Sequence, residues 1–262
     1  MGASRSAAPC AVLLLACALL PQAARAELSN DSLLGPGLRW RPAYDGSASQ
    51  RFELVPVIRY FGEHAFVRST QGVLEGGARV ELIPGLHAGA QLAYEPGRIG
   101  HDSDFLDQHH ASDIERGVSA GLQIEWDHVF DPVPITLLAR VRRHLDTDLG
   151  TQADLRLSAG IYRGGPVGAG VFTQATWADA ESTGAFYGVT AQQSDTMGLP
   201  AFEAGAGWLF ASFGLLWSVD LNPNWVVVGS IESRTLRGSA ARSPLAERSS
   251  NRYASVGLAW RF

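Results

Sequence analysis

The chain has 262 residues, 21 basic residues against 26 acidic ones, a formal net charge of −5 and a mean hydropathy of +0.01. This charge balance argues against a nucleic-acid-binding protein, because binding to nucleic acid needs clustered positive charge. No apolar run approaches the ~18 residues that a membrane-spanning helix requires, so a helical membrane protein is excluded as well.

The first 26 residues have the three parts of a secretory signal peptide. Arg5 precedes a short apolar run over residues 11–20, and the small residues Ala24 and Ala26 predict cleavage after position 26. An alternative reading makes Cys17 a lipoprotein processing site. The apolar run continues past this cysteine, which favours cleavage at the later position.

Both cysteines, Cys10 and Cys17, lie within the predicted leader, so the mature chain is expected to contain no disulfide. The remaining residues, 27–262, are enough for one sizeable domain. If this domain lies in a membrane, it must be a β-barrel, because only a closed barrel or a helix satisfies every backbone group in hydrocarbon.

Beyond residue 33, apolar and polar residues alternate with a period of two, which is typical of β-strands with one apolar face. The predicted strands cover residues 33–40, 52–61, 64–70, 73–83, 86–94, 118–126, 133–141, 153–161, 167–177, 205–221, 225–236 and 251–262. The count is about twelve if residues 64–70 and 73–83 are separate strands, and ten if they form one bent strand. The sequence leaves both counts open.

The connections alternate between short and long. Brief turns at 83–85, 130–132, 163–166 and 222–224 separate long polar links at 95–116, 178–203 and 237–250. Outer-membrane barrels have short periplasmic turns and longer extracellular loops. The sequence therefore predicts an all-β fold, a transmembrane antiparallel up-and-down β-barrel in the bacterial outer membrane.

The last strand ends on an apolar aromatic residue with no polar tail. Val256, Leu258, Trp260 and Phe262 share one face of this strand. A final strand of this kind resembles the assembly signal of bacterial outer-membrane barrels. We therefore expect the barrel assembly machinery to be a partner of the chain.

If the apolar face meets lipid, the charged residues of the opposite face point into the lumen. The predicted lumenal charge network comprises Arg79, Glu81, Glu125, Asp127, Arg140, Arg142, Asp154, Arg156, Glu232 and Arg234. A barrel of about twelve strands is narrow, so paired charges are expected to fill much of its interior. This predicts a poorly conducting barrel.

Two clusters of polar residues have alternative readings. The segment 101–113 is rich in Asp and His, and either a metal site or hydrolysis involving Asp107 and His109 would use such residues. A solvated loop has the same composition and is the reading we favour, so no catalytic, cofactor-binding or metal-binding residue is assigned. Arg140, Arg142 and Arg143 suit lipopolysaccharide phosphate, but pairing with lumenal acids explains two of them more simply.

Several segments in order along the chain resemble the MipA/OmpV family of Gram-negative outer-membrane proteins. The matching segments are residues 44–47, 92–94 with 97–98, 175–179, 186–190 with Ser194, 238–244 and 260–262. Where the family often has two acids before the last strand, this chain has Ser239 and Arg242. The substitutions change the charge of that loop and put any role of the acids in doubt here.

The resemblance implies a non-enzymatic, monomeric barrel in contact with outer-membrane lipid and lipopolysaccharide. It further implies a scaffolding protein of the cell envelope that joins a lytic transglycosylase to a murein synthase. Two alternatives remain, a narrow channel for small solutes and an outer-membrane hydrolase that uses residues 101–113.

Overall fold

The computed structural model describes residues 31–130 and 132–262, which form a closed barrel of twelve β-strands. The strands are β1 (Leu33–Pro42), β2 (Gln50–Phe61), β3 (Ala65–Thr70), β4 (Val73–Ile83), β5 (Leu86–Glu95), β6 (Gly117–Phe130), β7 (Val133–His144), β8 (Thr151–Gly164), β9 (Val167–Ala178), β10 (Gly207–Asp220), β11 (Trp225–Leu236) and β12 (Ser250–Arg261). Each strand pairs antiparallel with its neighbours in sequence, and β1 pairs with β12 to close the ring. The predicted fold is confirmed. The predicted leader, including Ala24 and Ala26, lies outside the described residues.

The uncertain segment between residues 64 and 83 forms two strands, so the count is twelve. The turn between β3 and β4 is made by Gln71 and Gly72, whose φ angles are 53° and 85°. Two consecutive residues with positive φ give a tight turn whose twist matches that of the flanking strands. A single bent strand is thereby excluded.

Three short helices lie in the loops on the extracellular side: α1 (Asp104–Gln108), α2 (Ala180–Tyr187) and α3 (Ala191–Met197). Single 3₁₀ turns cover Gly100–Asp102, Thr147–Leu149 and Ala240–Arg242. Within residues 31–130 and 132–262, no helix combines the length and the apolar character needed to cross a bilayer.

The burial pattern is the reverse of that in a water-soluble protein. The outer face of the wall carries large apolar side chains such as Leu54, which is 82% exposed, and Leu122, which is 69% exposed. The inner face carries charged groups such as Glu75, which is 1% exposed. Because successive strand residues point to opposite faces, the alternation in the sequence places hydrocarbon outside and charge inside.

Aromatic side chains mark the periplasmic rim of the barrel. Trp225 and Trp260 meet edge to face with ring centroids 5.2 Å apart, and Trp126 packs against Phe130 at 6.2 Å. Such rings favour the boundary between hydrocarbon and water. The apolar face of β12 is exposed on the outer wall, and the terminal residue Phe262 is 66% exposed.

One strand differs locally from the sequence-based expectation. Leu209 and Phe213 are four positions apart and would share the apolar face of a regular strand, but Leu209 is buried in a cluster beneath the extracellular loops. The pairing of β10 with β9 shifts by one residue between Trp208 and Phe210. A β-bulge at this point reverses which residues face lipid and which face the lumen on its extracellular side, and this accounts for the position of Leu209.

Candidate functional site

A chain of buried ion pairs runs along one side of the lumen. Arg68 on β3 donates to Glu75 on β4 and, at 2.5 Å, to Glu125 on β6. Arg140 on β7 donates to the second oxygen of Glu75 at 2.6 Å and to Asp154 on β8 at 2.7 Å. All five side chains are at least nine-tenths buried. Buried charges of this kind are tolerated only when each one is paired.

The chain continues towards the extracellular end through Arg142. Its guanidinium donates to Asp154 and to Glu95, both at 2.9 Å. Ser119 donates to Glu95 at 2.5 Å, and His144 lies 3.7 Å from the other oxygen of that carboxylate. The predicted residues Glu125, Arg140, Arg142 and Asp154 therefore lie in one network, together with partners that the sequence analysis did not single out.

The predicted residues Glu232 and Arg234 lie in a separate cluster on the opposite side. Arg234 donates to Asp45 at 2.7 Å and to Glu232 at 3.1 Å. Its guanidinium also lies 4.7 Å from the ring centre of Tyr253, whose hydroxyl donates to Asp45. This cluster joins β11 and β12 to the loop that follows β1.

Three further predicted charges lie near the periplasmic ends of the strands. Arg79 donates to the carbonyl of Gly62 at 3.2 Å, and Glu81 accepts from the backbone of Gly85 at 2.8 Å, so both stabilise periplasmic turns. Asp127 accepts from the hydroxyl of Thr136 at 2.6 Å. These contacts fix the ends of neighbouring strands.

Arg156 has a different environment from the other lumenal charges. Its guanidinium lies 4.0 Å from the ring centre of Phe172, and its Nε donates to Ser158 at 3.4 Å. Cation–π contact of this kind contributes more when both groups are removed from water, as they are here.

Two cavities lie inside the barrel. The periplasmic one has a volume of about 200 Å³ and the extracellular one about 150 Å³. Arg39, Gln71 and Tyr253 line both, and the guanidinium of Arg39 lies 5.1 Å from the ring centre of Tyr253. These three residues form the constriction between the two cavities.

The extracellular loops form a packed cap over the upper cavity. Tyr44 donates to the carbonyl of Leu245 at 2.7 Å, and Tyr187 donates to the carbonyl of Asp45 at 3.1 Å. Ser243 donates to the carbonyl of Tyr187 at 2.6 Å. Loops that are far apart in sequence are thus held together by buried hydrogen bonds.

Apolar side chains fill the interior of this cap. One cluster comprises Ala43, Tyr44, Leu106, Val189, Met197 and Leu245, and a second comprises Ala178, Tyr187, Ala204, Leu209, Phe210, Leu236 and Ala240. Burial raises the pKa of Tyr44 above its ordinary value, and the nearby charge of Glu247 acts in the same direction. Burial also raises the pKa of Tyr187, with Asp45 adding to the effect. Both tyrosines are therefore neutral hydrogen-bond donors at physiological pH.

The Asp- and His-rich segment 101–113 is part of the cap. Asp102 forms an ion pair with Arg51 on β2, and Asp113 accepts from the backbone of Gly100 at 2.6 Å. Within the described part of the chain, no three His, Cys, Asp or Glu side chains cluster in a way that would hold a metal ion. The segment is anchored by Leu106, which is completely buried.

Sequence reasoning missed the cap because it treated the long links as polar and solvated. The available signal was the family-like segments themselves, since Tyr44, Arg98, Tyr187 and Ser243 all belong to them. Arg98 donates to the carbonyl of Phe186 at 2.5 Å, and Ser243 reaches the next residue, Tyr187. Segments that lie far apart in the sequence, and that each resemble the family, are therefore in contact in the fold.

Comparisons with known proteins support this architecture. A solved outer-membrane channel from Pseudomonas putida F1 is similar with a TM-score of 0.52 at 11% identity, covering 93% of this chain and 100% of that chain. The NanC porin is similar with a TM-score of 0.49 at 10% identity, covering 87% of this chain and 100% of its own. At 11% identity the likeness to the Pseudomonas putida channel shows the fold alone. No curated protein sequence matches. The sequence model of the family described as MltA-interacting protein MipA matches residues 34–262, which is the whole barrel except the first residue of β1. The chain therefore belongs to this family of outer-membrane proteins.

Proposed function

We propose that this chain is a non-enzymatic outer-membrane barrel that acts as a scaffold for murein-cleaving and murein-synthesising enzymes. The family description names MltA as the protein with which the family's namesake interacts. The resemblance implies a lytic transglycosylase as the partner, and the two agree. The ordered resemblance along the mature chain supports the same role. A murein synthase is the second partner that the resemblance implies.

The filled lumen is the observation that carries this proposal. Arg68, Arg140 and Arg142 form a continuous series of ion pairs with four carboxylates across β3 to β8. The cavities that remain, about 200 and 150 Å³, meet at a constriction under a packed cap. Such an interior suits a membrane-anchored interaction protein better than a porin with an open aqueous path.

The periplasmic face is the surface that murein enzymes can reach. Its turns are short, and Glu63 and His64 in the first of them have side chains that are 88% and 77% exposed. At the other side of the rim, Arg261 pairs with Asp31 and Asp220, each at 2.7 Å. A rigid rim with exposed polar turns favours docking of a folded partner without large rearrangement.

Binding of a purified murein enzyme tests the scaffold role. The full barrel, tagged in an extracellular loop, is purified in dodecyl maltoside and tested for binding of a purified lytic transglycosylase of the MltA class. We expect binding that falls when Glu63 and His64 are both changed to Ala. The control is Asp148→Ala, an exposed acid on the extracellular side. Binding that is absent, or equal in a barrel unrelated to the family, would contradict the scaffold role.

Planar-bilayer recording separates the scaffold from a narrow solute channel. We expect the purified barrel to show little conductance in neutral salt. Large, stable single-channel steps would contradict a filled lumen and favour the channel. The two experiments are independent, because a barrel that conducts is still able to bind a periplasmic partner.

A further inference from the structure

The wall of the barrel is interrupted between β2 and the hairpin of β3 and β4. β2 and β3 form three residue pairs, Arg59 with Arg68, Tyr60 with Val67 and Phe61 with Phe66. In contrast, β1 pairs with β2 along its whole length. The hydroxyl of Ser69 closes the short ladder: it accepts from the backbone of Ile58 at 3.1 Å and donates to its carbonyl at 3.4 Å. On the extracellular side of Ser69, the hairpin and β2 are no longer paired.

The free edge of β2 runs from residue 52 to residue 57. Because the backbone groups of Ile58 face the hairpin, alternation places those of Leu54 and Pro56 on the same edge. Within the described residues no strand pairs with this edge. Pro56 has no N–H, as is common at an unpaired edge. In hydrocarbon, the remaining backbone groups must be satisfied by water or by a polar ligand.

The gap is a window and not an open slot. Above it, the loop after β5 is attached to β2, since Asp102 pairs with Arg51 and the backbone of Asp104 donates to Ser49 at 3.3 Å. On the outer side, Phe52 and Leu54 are 68% and 82% exposed towards lipid. The window therefore connects the hydrocarbon region with the lumen.

The guanidinium of Arg39 lies behind this window. The hairpin tip tilts into the lumen, where a methyl group on Gly72 would overlap Nη1 of Arg39. Arg39 is 6% exposed and makes no hydrogen bond or ion pair with any described side chain, although it contacts the ring of Tyr253. By contrast, each arginine of the two ion-pair networks has a carboxylate partner. The carboxylates of Glu232 and Asp45 lie near Arg39 without contacting it. The guanidinium therefore keeps hydrogen-bond donors for an anionic ligand, which would stabilise its buried charge.

The periplasmic cavity that Arg39 lines has an apolar side beside the window. Val55 and Val57 of β2 face this space, with Leu216 from β10 and Val226 and Val228 from β11. Its volume of about 200 Å³ is too small for a lipid with two acyl chains. The combination suits a single apolar chain with an anionic head.

We propose that the window admits a long-chain fatty acid from the outer membrane and that Arg39 binds its carboxylate. A guanidinium donates two parallel hydrogen bonds to a carboxylate, which fixes the head group at the constriction. The first methylenes lie against Val55 and Val57, and the rest of the chain extends through the window into hydrocarbon.

Binding measurements on the full barrel in dodecyl maltoside test the head-group contact. We expect palmitate to bind and methyl palmitate, which lacks the charge, to bind at least about tenfold more weakly. The variant Arg39→Gln should lose about tenfold in affinity for palmitate, whereas Arg252→Gln, an exposed arginine on β12, should bind like the wild type. Equal binding of the acid and its methyl ester, or tighter binding of a lysophospholipid, would overturn the proposal.

Photocrosslinking on the wild-type protein tests the route of entry and needs no variant to fold. Palmitate with a diazirine in its chain is expected to label residues 52–57 and 69–72. Labelling spread evenly over outer-face residues such as Leu122 and Phe213 would contradict entry through the window. Capture of a lytic transglycosylase should be unaffected by Arg39→Gln, so failure of this inference is distinguishable from failure of the scaffold role.

Discussion

Arg140 on β7 donates to Glu75 on β4 at 2.6 Å, although β5 and β6 lie between these strands in the wall. The contact therefore braces the interior independently of the backbone ladder. Because Glu75 is also held by Arg68, its carboxylate is the junction of the lumenal ion-pair chain. We therefore expect the free energy of unfolding of the barrel to depend strongly on this one side chain.

Replacing Glu75 with Gln should destabilise the folded barrel. The change leaves Arg68 and Arg140 with one carboxylate fewer in a site that is almost completely buried. Removal of one partner from a buried ion pair costs about 3–5 kcal/mol. Urea unfolding in detergent micelles, followed by tryptophan fluorescence, measures the loss. The matched control is Glu63→Gln in an exposed turn, for which we expect a change within about 0.5 kcal/mol. An equal effect of the two substitutions would contradict the role assigned to Glu75.

The extracellular cap should loosen at alkaline pH. Burial raises the pKa of Tyr44 and Tyr187, so the folded state retains their protons at a pH where an unfolded chain loses them. Their contribution is therefore complete below the ordinary tyrosine pKa of about 10 and is lost as the pH rises above it. Hydrogen exchange of residues 237–249 as a function of pH measures the opening.

The variant Tyr44→Phe isolates one hydrogen bond of the cap. It removes the bond to the carbonyl of Leu245, which is buried, and should destabilise the cap by about 0.5–1.5 kcal/mol. Tyr60→Phe, an exposed residue on the outer face of β2, is the control and should leave exchange in residues 237–249 unchanged. Exchange that is independent of both pH and Tyr44 would rule out this account of the cap.

The terminal aromatic residue should matter for assembly more than for stability. We expect Phe262→Ser to reduce the yield of folded barrel in the outer membrane several-fold, because Phe262 ends the apolar face that resembles an assembly signal. Phe130→Ser, which removes an exposed aromatic of the same rim, serves as the control. Heat-modified gel mobility distinguishes folded from unfolded barrel. Similar losses for both variants would indicate a general need for rim aromatics instead of an assembly signal.

We expect that divalent metal ions do not change the stability of the barrel by binding to segment 101–113. Asp102 and Asp113 are already engaged with Arg51 and the backbone of Gly100. We therefore expect no shift of the thermal midpoint on addition of Zn²⁺ or Ca²⁺, or of a chelator. Esterase and protease assays on the wild type and on the double variant Asp107→Ala with His109→Ala should show no difference. A hydrolytic activity that the double variant loses would support the hydrolase alternative.

Local pattern was sufficient to predict the wall of the barrel. Residues such as Leu155 and Asp154 point to opposite faces because the strand period is two, whatever the rest of the fold does. Loop lengths then predicted which end is periplasmic, and the even alternation predicted antiparallel neighbours. The only count left open, in residues 64–83, depended on the backbone conformation of Gln71 and Gly72, which no periodicity reveals.

Along the regular stretches of strand, the sequence by itself determined which side chains face lipid and which face the lumen, because that choice follows from alternation; at the β-bulge beside Leu209 it did not. Only the tertiary structure decided which lumenal charges meet, since the pairing of Glu75 with Arg140 depends on the curvature and stagger of the closed ring. The same holds for the cap, where Tyr187 and Ser243 meet although 56 positions separate them. It also holds for the window, where the hairpin leaves β2 after three paired residues and tilts towards Arg39. Strand pattern is a local property, whereas contacts between distant strands and loops exist only once the barrel has closed.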